Sequence, residues 1–219
     1  MKKALFCSIL LALAGAASTA QAQAAKPAHS AIESKIAMCI GCHGIKGYQA
    51  SFPEIHKVPM ISGQSGKYII AALNAYKKGE RKHPTMRAIA GSLTDQDMAD
   101  IAAYYEQLGK DATPLPEQVA SAPAEVATLL TKGACASCHG ANFSKPIDGS
   151  YPKLAGQHAD FLYVALKAYK TEGNPQVGRG NAIMGGQVKQ FSNAELKTIA
   201  NYLASLPSDL HTVPQSKFR

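Results

Sequence analysis

The sequence has no cysteine to spare for structural disulfide bonds. Of its five cysteines, Cys7 lies near the N-terminus, and the other four form two C-x-x-C pairs that are each followed by histidine. The chain also lacks an apolar run long enough to span a membrane comfortably, and it lacks a dense run of lysine and arginine. These absences argue against a disulfide-stapled fold, an integral membrane protein and a nucleic-acid-binding protein.

The N-terminus has the three parts of a secretory signal peptide. Lys2 and Lys3 form the positive part, residues 5–17 form the short apolar part, and residues 20–22 read Ala-Gln-Ala, an A-x-A cleavage site. We predict that residues 1–22, including Cys7, are removed on export. The alternative is an uncleaved N-terminal anchor.

Two C-x-x-C-H sequences, at residues 39–43 and 135–139, are the strongest functional signal. This pattern is typical of covalent attachment of a c-type haem. Cysteines at i and i+3 share one side of a helical turn, where each can form a thioether with one vinyl group, and the next histidine can bind the iron. The predicted attachment residues are Cys39, Cys42, Cys135 and Cys138, and the predicted iron ligands from these motifs are His43 and His139.

Two other roles of C-x-x-C pairs fit less well. In a Cys₄ zinc site the gap between pairs is usually short, whereas 92 residues separate Cys42 from Cys135. A thioredoxin-like pair needs a βαβ setting and begins a helix, whereas these pairs are predicted to end a helix in a chain with little strand signal. Haem attachment also agrees with export, because bacteria attach c-type haems outside the cytoplasm.

The mature chain contains two copies of one pattern. Each copy predicts an entry helix (about residues 31–39 and 124–135), a P-x-[I/L]-[S/A]-G-Q segment, an amphipathic middle helix and a final helix that begins at a capping-box sequence. The matching segments are 59–64 with 152–157, 68–76 with 161–169, and 94–97 with 192–195.

A connector at residues 113–123 carries three prolines and separates the two copies. We therefore predict an all-α chain with a first domain at 23–112 and a second at 124–219. The formal net charge is +8, and without Lys2 and Lys3 each half carries +3. This basic surface could help docking to an acidic redox partner.

The duplication also predicts the ligand on the other side of each iron, which is normally methionine or histidine. After His139 the second copy has one methionine, Met184, which lies eight residues before Ser192, and Met86 lies eight residues before Thr94. We predict Met86 and Met184 as these ligands, placed in loops. The other mature methionines have no methionine opposite them in the second copy: Met38, Met60 and Met98. Met98 is predicted to lie in the core.

Histidine is the alternative ligand. His83 is close to Met86, but the second copy has no histidine between His158 and His211. The histidines outside the motifs are therefore predicted to be surface or loop residues: His29, His56, His83, His158 and His211. A carbonyl near Pro59 and Pro152 could accept the second N–H of each ligating histidine, or these prolines could merely shape a turn.

A haem iron with a protein ligand on each side of the porphyrin has no open position for a substrate, and Met/His ligation favours a raised reduction potential. The residues therefore predict an electron carrier rather than an enzyme. A displaced methionine would instead leave a haem able to bind a small ligand.

Together, the two C-x-x-C-H motifs, the P-x-[I/L]-[S/A]-G-Q segments, the stretches at residues 68–81 and 93–105, and Met86 resemble the cytochrome c4 family. The resemblance covers nearly the whole mature chain. It implies two class I cytochrome c folds related by a pseudo-twofold axis, two covalently bound haem c groups that lie close together, and the ligand pairs His43 with Met86 and His139 with Met184.

The resemblance also implies a periplasmic carrier, which feeds a terminal oxidase from a quinol-oxidising complex. Similar dihaem chains serve as the cytochrome subunit of dehydrogenases such as sulfide-oxidising flavocytochromes, and this alternative stays open, as does loose membrane association. The second copy has about five extra residues between Tyr169 and Met184, and Arg81 has no clear counterpart. From that asymmetry we predict slightly different potentials for the two haems.

Overall fold

The computed structural model describes residues 29–109, 114–118 and 120–214, so the predicted signal peptide lies outside the described residues. The described part of the predicted connector, residues 114–118 and 120–123, has neither helix nor strand. The helices of the first half are α1 (His29–His43), α2 (Gly66–Lys78), α3 (Pro84–Gly91) and α4 (Asp95–Gln107). Those of the second half are α5 (Ala124–Lys132), α6 (Cys135–His139), α7 (Ala159–Lys170), α8 (Ala182–Lys189) and α9 (Asn193–Ser205).

Each half builds its own core from the same arrangement of helices. In the first half α2 packs against α3 and α4, and α1 packs against α4; in the second, α7 packs against α8 and α9, and α5 packs against α9. The two buried apolar clusters fall within residues 36–105 and 129–203 respectively. Met98 is fully buried in the first cluster, which confirms its predicted core position, and the matching Leu196 is buried in the second.

Both predicted capping boxes are present. The Thr94 hydroxyl accepts from the Asp97 amide while the Asp97 carboxylate accepts from the Thr94 amide, and Ser192 and Glu195 repeat the exchange at the start of α9. Each box satisfies backbone N–H groups that have no partner within the helix.

The part of the chain that the structure describes contains four strands of two residues each, which form two antiparallel pairs. β1 (Gln49–Ala50) and β2 (His56–Lys57) pair antiparallel within the first half. β3 (Arg81–Lys82) and β4 (Gly178–Arg179) pair antiparallel across the two halves. The chain also returns to the first half near its end, where the His211 amide donates to the Ser62 carbonyl at 3.1 Å.

The entry helices differ from the prediction. α1 continues through the C-x-x-C-H motif to His43, whereas in the second half the helix ends at Lys132 and α6 begins at Cys135. Between them Ala134 takes the left-handed conformation, with φ 46° and ψ 34°, which costs about 1–2 kcal/mol for a residue other than glycine. Gly133 allows Phe191 to pack there, because a Cβ at Gly133 would lie 3.1 Å from the Phe191 ring. The prediction of one continuous helix over 124–135 is therefore wrong at its C-terminal end.

Candidate haem-binding site

One connected cavity of about 580 Å³ lies where the two halves meet. Apolar and aromatic side chains form most of its wall, as in other sites that enclose a large planar ligand; examples are Leu73, Ile89, Leu162 and Phe191. All eight residues predicted to attach haem or bind iron lie on this wall: Cys39, Cys42, His43, Met86, Cys135, Cys138, His139 and Met184. The cavity thus brings together residues that are up to 145 positions apart in the sequence.

The two motif histidines have a fixed orientation. Nδ1 of His43 donates to the Pro59 carbonyl at 2.8 Å, and Nδ1 of His139 donates to the Pro152 carbonyl at 3.1 Å. Because a carbonyl can only accept, each Nδ1 carries the proton and Nε2 keeps its lone pair. Burial lowers the pKa of both imidazoles, which favours the neutral form that binds iron. Of the two roles considered for these prolines, their carbonyls do accept from the histidines.

Burial also affects the thiol of the first cysteine in each motif. It raises the pKa of the Cys39 thiol to about 11 and raises that of Cys135 as well. Among the described residues no group of three or more His, Cys, Asp or Glu side chains is placed to bind a metal ion.

The two candidate methionine ligands lie in helices, not in loops as predicted. Met86 is in the first turn of α3, where Nδ1 of His83 accepts from its amide at 3.4 Å. Met184 is in the first turn of α8, where Oδ1 of Asn181 accepts from its amide at 2.9 Å. Pro84 at the start of α3 and Asn181 at the cap of α8 are helix-start signals, and they were the sequence features that could have predicted these short helices.

His56 is buried, contrary to the prediction that histidines outside the motifs lie at the surface or in loops. It is 5% exposed, belongs to β2, and its Nδ1 donates to the Glu54 carbonyl at 2.8 Å. Its ring lies 6.2 Å from the ring of Phe161 in the other half. His56 is therefore part of the contact between the halves.

Arg81 has a counterpart, so the predicted asymmetry at this position is wrong. Arg179 is its register partner in the β3–β4 pair. The Arg81 guanidinium lies 5.2 and 5.7 Å from the ring centres of Tyr68 and Tyr76. Arg179 repeats this at 5.6 and 5.4 Å over the matching rings. The five extra residues of the second half lie before Arg179. They shift Arg179 in the alignment of the two halves, but its spacing from Asn181 is unchanged.

These residues fit the group that the sequence predicts. The paired cysteines, the histidines with free Nε2 atoms and the methionines share one apolar cavity. Such a cavity would exclude water from an iron porphyrin, and its lining offers thioether and imidazole ligands to the iron.

Comparison with known proteins gives the same result. The family model described as "Cytochrome c" matches residues 34–109 and again residues 123–207. The cytochrome c4 of Stutzerimonas stutzeri is 30% identical over 206 residues, covering 86% of this chain and 93% of that protein. The chain belongs to the cytochrome c4 family.

Two further relatives have the same architecture or a named redox role. The reduced recombinant cytochrome c4 from Pseudomonas stutzeri superposes with a TM-score of 0.58 at 26% identity, covering 81% of this chain and 98% of that one. A protein of Thiomonas intermedia named "Thiosulfate dehydrogenase electron acceptor" is 27% identical over 194 residues, covering 84% of this chain and 85% of that protein.

Membership of the cytochrome c4 family establishes the main predictions from the sequence. The chain has two cytochrome c domains, each of which binds one covalent haem c, and it is an electron carrier rather than an enzyme. None of the helices in the described ranges combines the length and the hydropathy that crossing a membrane requires.

Proposed function

We propose that this cytochrome c4 carries electrons in the periplasm through two six-coordinate haems. Cys39 and Cys42 hold the first haem, and Cys135 and Cys138 hold the second. His43 with Met86, and His139 with Met184, would be the protein ligands of the two irons. When bound, each haem supplies a one-electron Fe(III)/Fe(II) couple, and the chain supplies ligands, water exclusion and orientation. The domains extend over residues 23–112 and 124–219, joined by 113–123.

The observation that carries this proposal is the shared wall of the cavity. Both C-x-x-C-H motifs, both first-turn methionines and both prolines line this wall, and each prolyl carbonyl accepts from the motif histidine of its own half. Methionine and histidine on opposite sides of an iron raise its potential and leave no position for substrate, which is what a carrier needs.

Substitution of the methionines tests the ligand assignment. Met86→Ala and Met184→Ala should each remove the methionine–iron charge-transfer band of one haem and allow the reduced protein to bind carbon monoxide at that haem. Met60→Ala is the matched control, because Met60 lines the same cavity but is not a proposed ligand. Carbon monoxide binding by Met60→Ala, or its absence in both ligand variants, would reject the assignment.

For the partners, we propose a quinol-oxidising complex as donor and a terminal oxidase as acceptor. The basic surface, +3 on each half outside the signal peptide, favours partners with an acidic docking face. Membrane preparations with active oxidase should oxidise the reduced protein, with a rate that falls as salt is raised.

Mass spectrometry of the exported protein should show cleavage after Ala22 and two haem additions.

A dehydrogenase is the second candidate donor. The relative from Thiomonas intermedia, whose name describes it as an electron acceptor of thiosulfate dehydrogenase, favours it. The earlier alternative, a subunit of a sulfide-oxidising flavocytochrome, belongs to the same class. Reduction of the purified protein by a thiosulfate- or sulfide-oxidising enzyme, at rates above those with the quinol-oxidising complex, would favour this candidate.

A further inference from the structure

Gln64 and Gln157 are the last residues of the two repeated P-x-[I/L]-[S/A]-G-Q segments. Each side chain reaches into the other domain and forms hydrogen bonds with the segment there. Oε1 of Gln157 accepts from the Met60 amide at 3.0 Å, and its Nε2 donates to the Met60 carbonyl at 2.9 Å. Oε1 of Gln64 accepts from the Lys153 amide at 3.0 Å, and its Nε2 donates to the Lys153 carbonyl at 3.1 Å. This reciprocity is what a twofold relation produces.

Both glutamine side chains are locked in place. Gln64 is 3% and Gln157 is 4% exposed. Each Oε1 also accepts from the next residue's amide, Ser65 or His158, at 3.0 Å. Reversal of either amide group would leave the backbone N–H groups facing another N–H group, so the orientation of each amide is fixed by its partners.

The peptide groups that these glutamines contact also hold the histidines. The carbonyl of the Pro59–Met60 peptide accepts from His43, and the N–H of the same peptide donates to Gln157. The carbonyl of the Pro152–Lys153 peptide accepts from His139, and its N–H donates to Gln64. A hydrogen-bonded chain therefore runs from each motif histidine, through one peptide group, to a glutamine of the other domain.

Such a chain has a defined electronic effect. An acceptor on the N–H side of a peptide increases the negative charge on its carbonyl oxygen, so bonds in series strengthen one another. A stronger acceptor at Nδ1 makes the imidazole a more basic ligand. A more basic histidine stabilises Fe(III) relative to Fe(II) and lowers the reduction potential.

We propose that Gln157 and Gln64 are positioning residues that each lower the reduction potential of the haem in the opposite domain, through the peptide that accepts from its histidine. This proposal rests on the proposed role of His43 and His139 as iron ligands. Because each glutamine acts across the interface between the domains, separation or rotation of the domains would raise the reduction potentials of both haems.

The crossed dependence is the test. In the haem-loaded protein, Gln157→Met should raise the potential of the first haem more than that of the second, and Gln64→Met should do the reverse. A redox titration followed by NMR, which resolves the two haems, measures both. Gln190→Met is the control, because the side chain of this exposed glutamine donates to carbonyls of its own domain, and neither potential should move.

A conservative variant separates tuning from packing. A protonated glutamic acid has one acceptor and one donor oxygen and can replace both bonds of the amide, and burial favours the protonated form. At mildly acidic pH, Gln157→Glu should therefore return the first haem towards its original potential and restore the NMR position of the His43 Nδ1 proton. Unchanged potentials in both Gln157→Met and Gln64→Met, or shifts confined to the haem of the mutated domain, would overturn the proposal.

A measurement on the unaltered protein keeps the proposal testable if a variant fails to fold. The Met60 and Lys153 amides should exchange slowly with deuterium, and exchange at the rate of a free loop would also overturn the proposal. Failure of the ligand assignment is distinguishable, because it would appear in the unaltered protein as missing methionine or histidine ligand signals.

Discussion

Arg81 and Arg179 face each other across the strand pair that joins the two domains, and each guanidinium group stacks on two aromatic rings of its own middle helix. Both side chains line the haem cavity. The phenol of Tyr169 lies close to both: burial opposes its ionisation, but Arg179 and Arg81 hold its pKa below the usual value. The junction therefore places two positive charges in matching positions on the wall of the haem cavity.

Replacement of either arginine should lower the potential of the haem in its own domain. Arg81→Gln and Arg179→Gln remove a positive charge from a partly buried site, where charges are weakly screened, and Fe(III) then becomes more stable relative to Fe(II). The two shifts should be similar, because the two surroundings match. Arg87→Gln is the control, since Arg87 is exposed, and it should shift neither potential appreciably. Opposite signs for the two variants would contradict the equivalence.

The correction at Arg179 removes the reason given from the sequence for unequal potentials, but another asymmetry exists. Tyr105 of α4 is buried beside Cys39, whereas the matching position of α9 is Leu203. Burial raises the pKa of this phenol, so it is a neutral dipole beside Cys39, a proposed attachment residue of the first haem. We therefore still expect two different potentials, and Tyr105→Phe should reduce the difference between them in a redox titration.

The sequence predicts those parts of this molecule that depend on local signals. Thr94 and Ser192 mark helix starts through their own side chains, and the eight proposed ligand and attachment residues were predicted from motifs and from the duplication. The break before Cys135 had one local signal, because Gly133 is the C-cap residue of α5 and glycine commonly ends a helix; the left-handed conformation of Ala134 had no such signal.

Contacts between the domains were also beyond the reach of the sequence pattern. The repeat aligned Gln64 with Gln157, but alignment shows equivalence and not contact, so the crossed bonds to Lys153 and Met60 did not follow from it. The equivalence of Arg179 and Arg81 was missed because the insertion puts the two residues out of alignment in the sequence, whereas in the structure they pair across β3 and β4.

The capping boxes should contribute measurably to stability. Thr94→Ala and Ser192→Ala each leave the N3 amide without its side-chain acceptor, and each should lower the free energy of unfolding by about 1 kcal/mol. Urea unfolding monitored by circular dichroism measures this. Thr128→Ala is the matched control, because the exposed Thr128 hydroxyl only donates to the Ala124 carbonyl within α5, and such a contact contributes little. Equal losses in all three variants would argue against the capping role.

Lys35 should make the stability of the first domain depend on pH. Lys35 Nζ lies 2.9 Å from Asp97 Oδ1 and 2.6 Å from Asp100 Oδ2, which ties α1 to α4. The pKa of Asp97 is lowered first by a hydrogen bond from Thr94 and next by Lys35. The pKa of Asp100 is lowered first by Lys35 and next by Gln96. The pKa of Lys35 is raised by its bonds to Asp100 and Asp97.

The sign follows from these directions. The carboxylates stabilise the fold above their unfolded pKa of about 4 and lose that contribution as pH falls through their lower folded values. Lys35 stabilises it below about pH 10 and loses that contribution as pH rises through its higher folded value. Lys35→Met should therefore destabilise the protein at pH 7 and converge with the unaltered protein in acid. Lys189→Met, which breaks an exposed pair with Glu172, should have no comparable effect.

Gly63 and Gly156, which precede the two crossing glutamines, should not tolerate a side chain. Their φ values are +85° and +68°, and an added Cβ would lie 2.3 Å from the Asp209 carbonyl oxygen or from Ser208 Cβ. Gly63→Ala and Gly156→Ala should each cost at least about 2 kcal/mol, from the left-handed backbone and the collision together. Gly186→Ala is the control: this exposed position within α8 has no atom within 4 Å of the new Cβ, so alanine should stabilise the helix by about 0.5–1 kcal/mol. Chemical unfolding of the three variants should therefore give two losses and one gain, and a gain at Gly63 or Gly156 would show that the backbone there is not held as described.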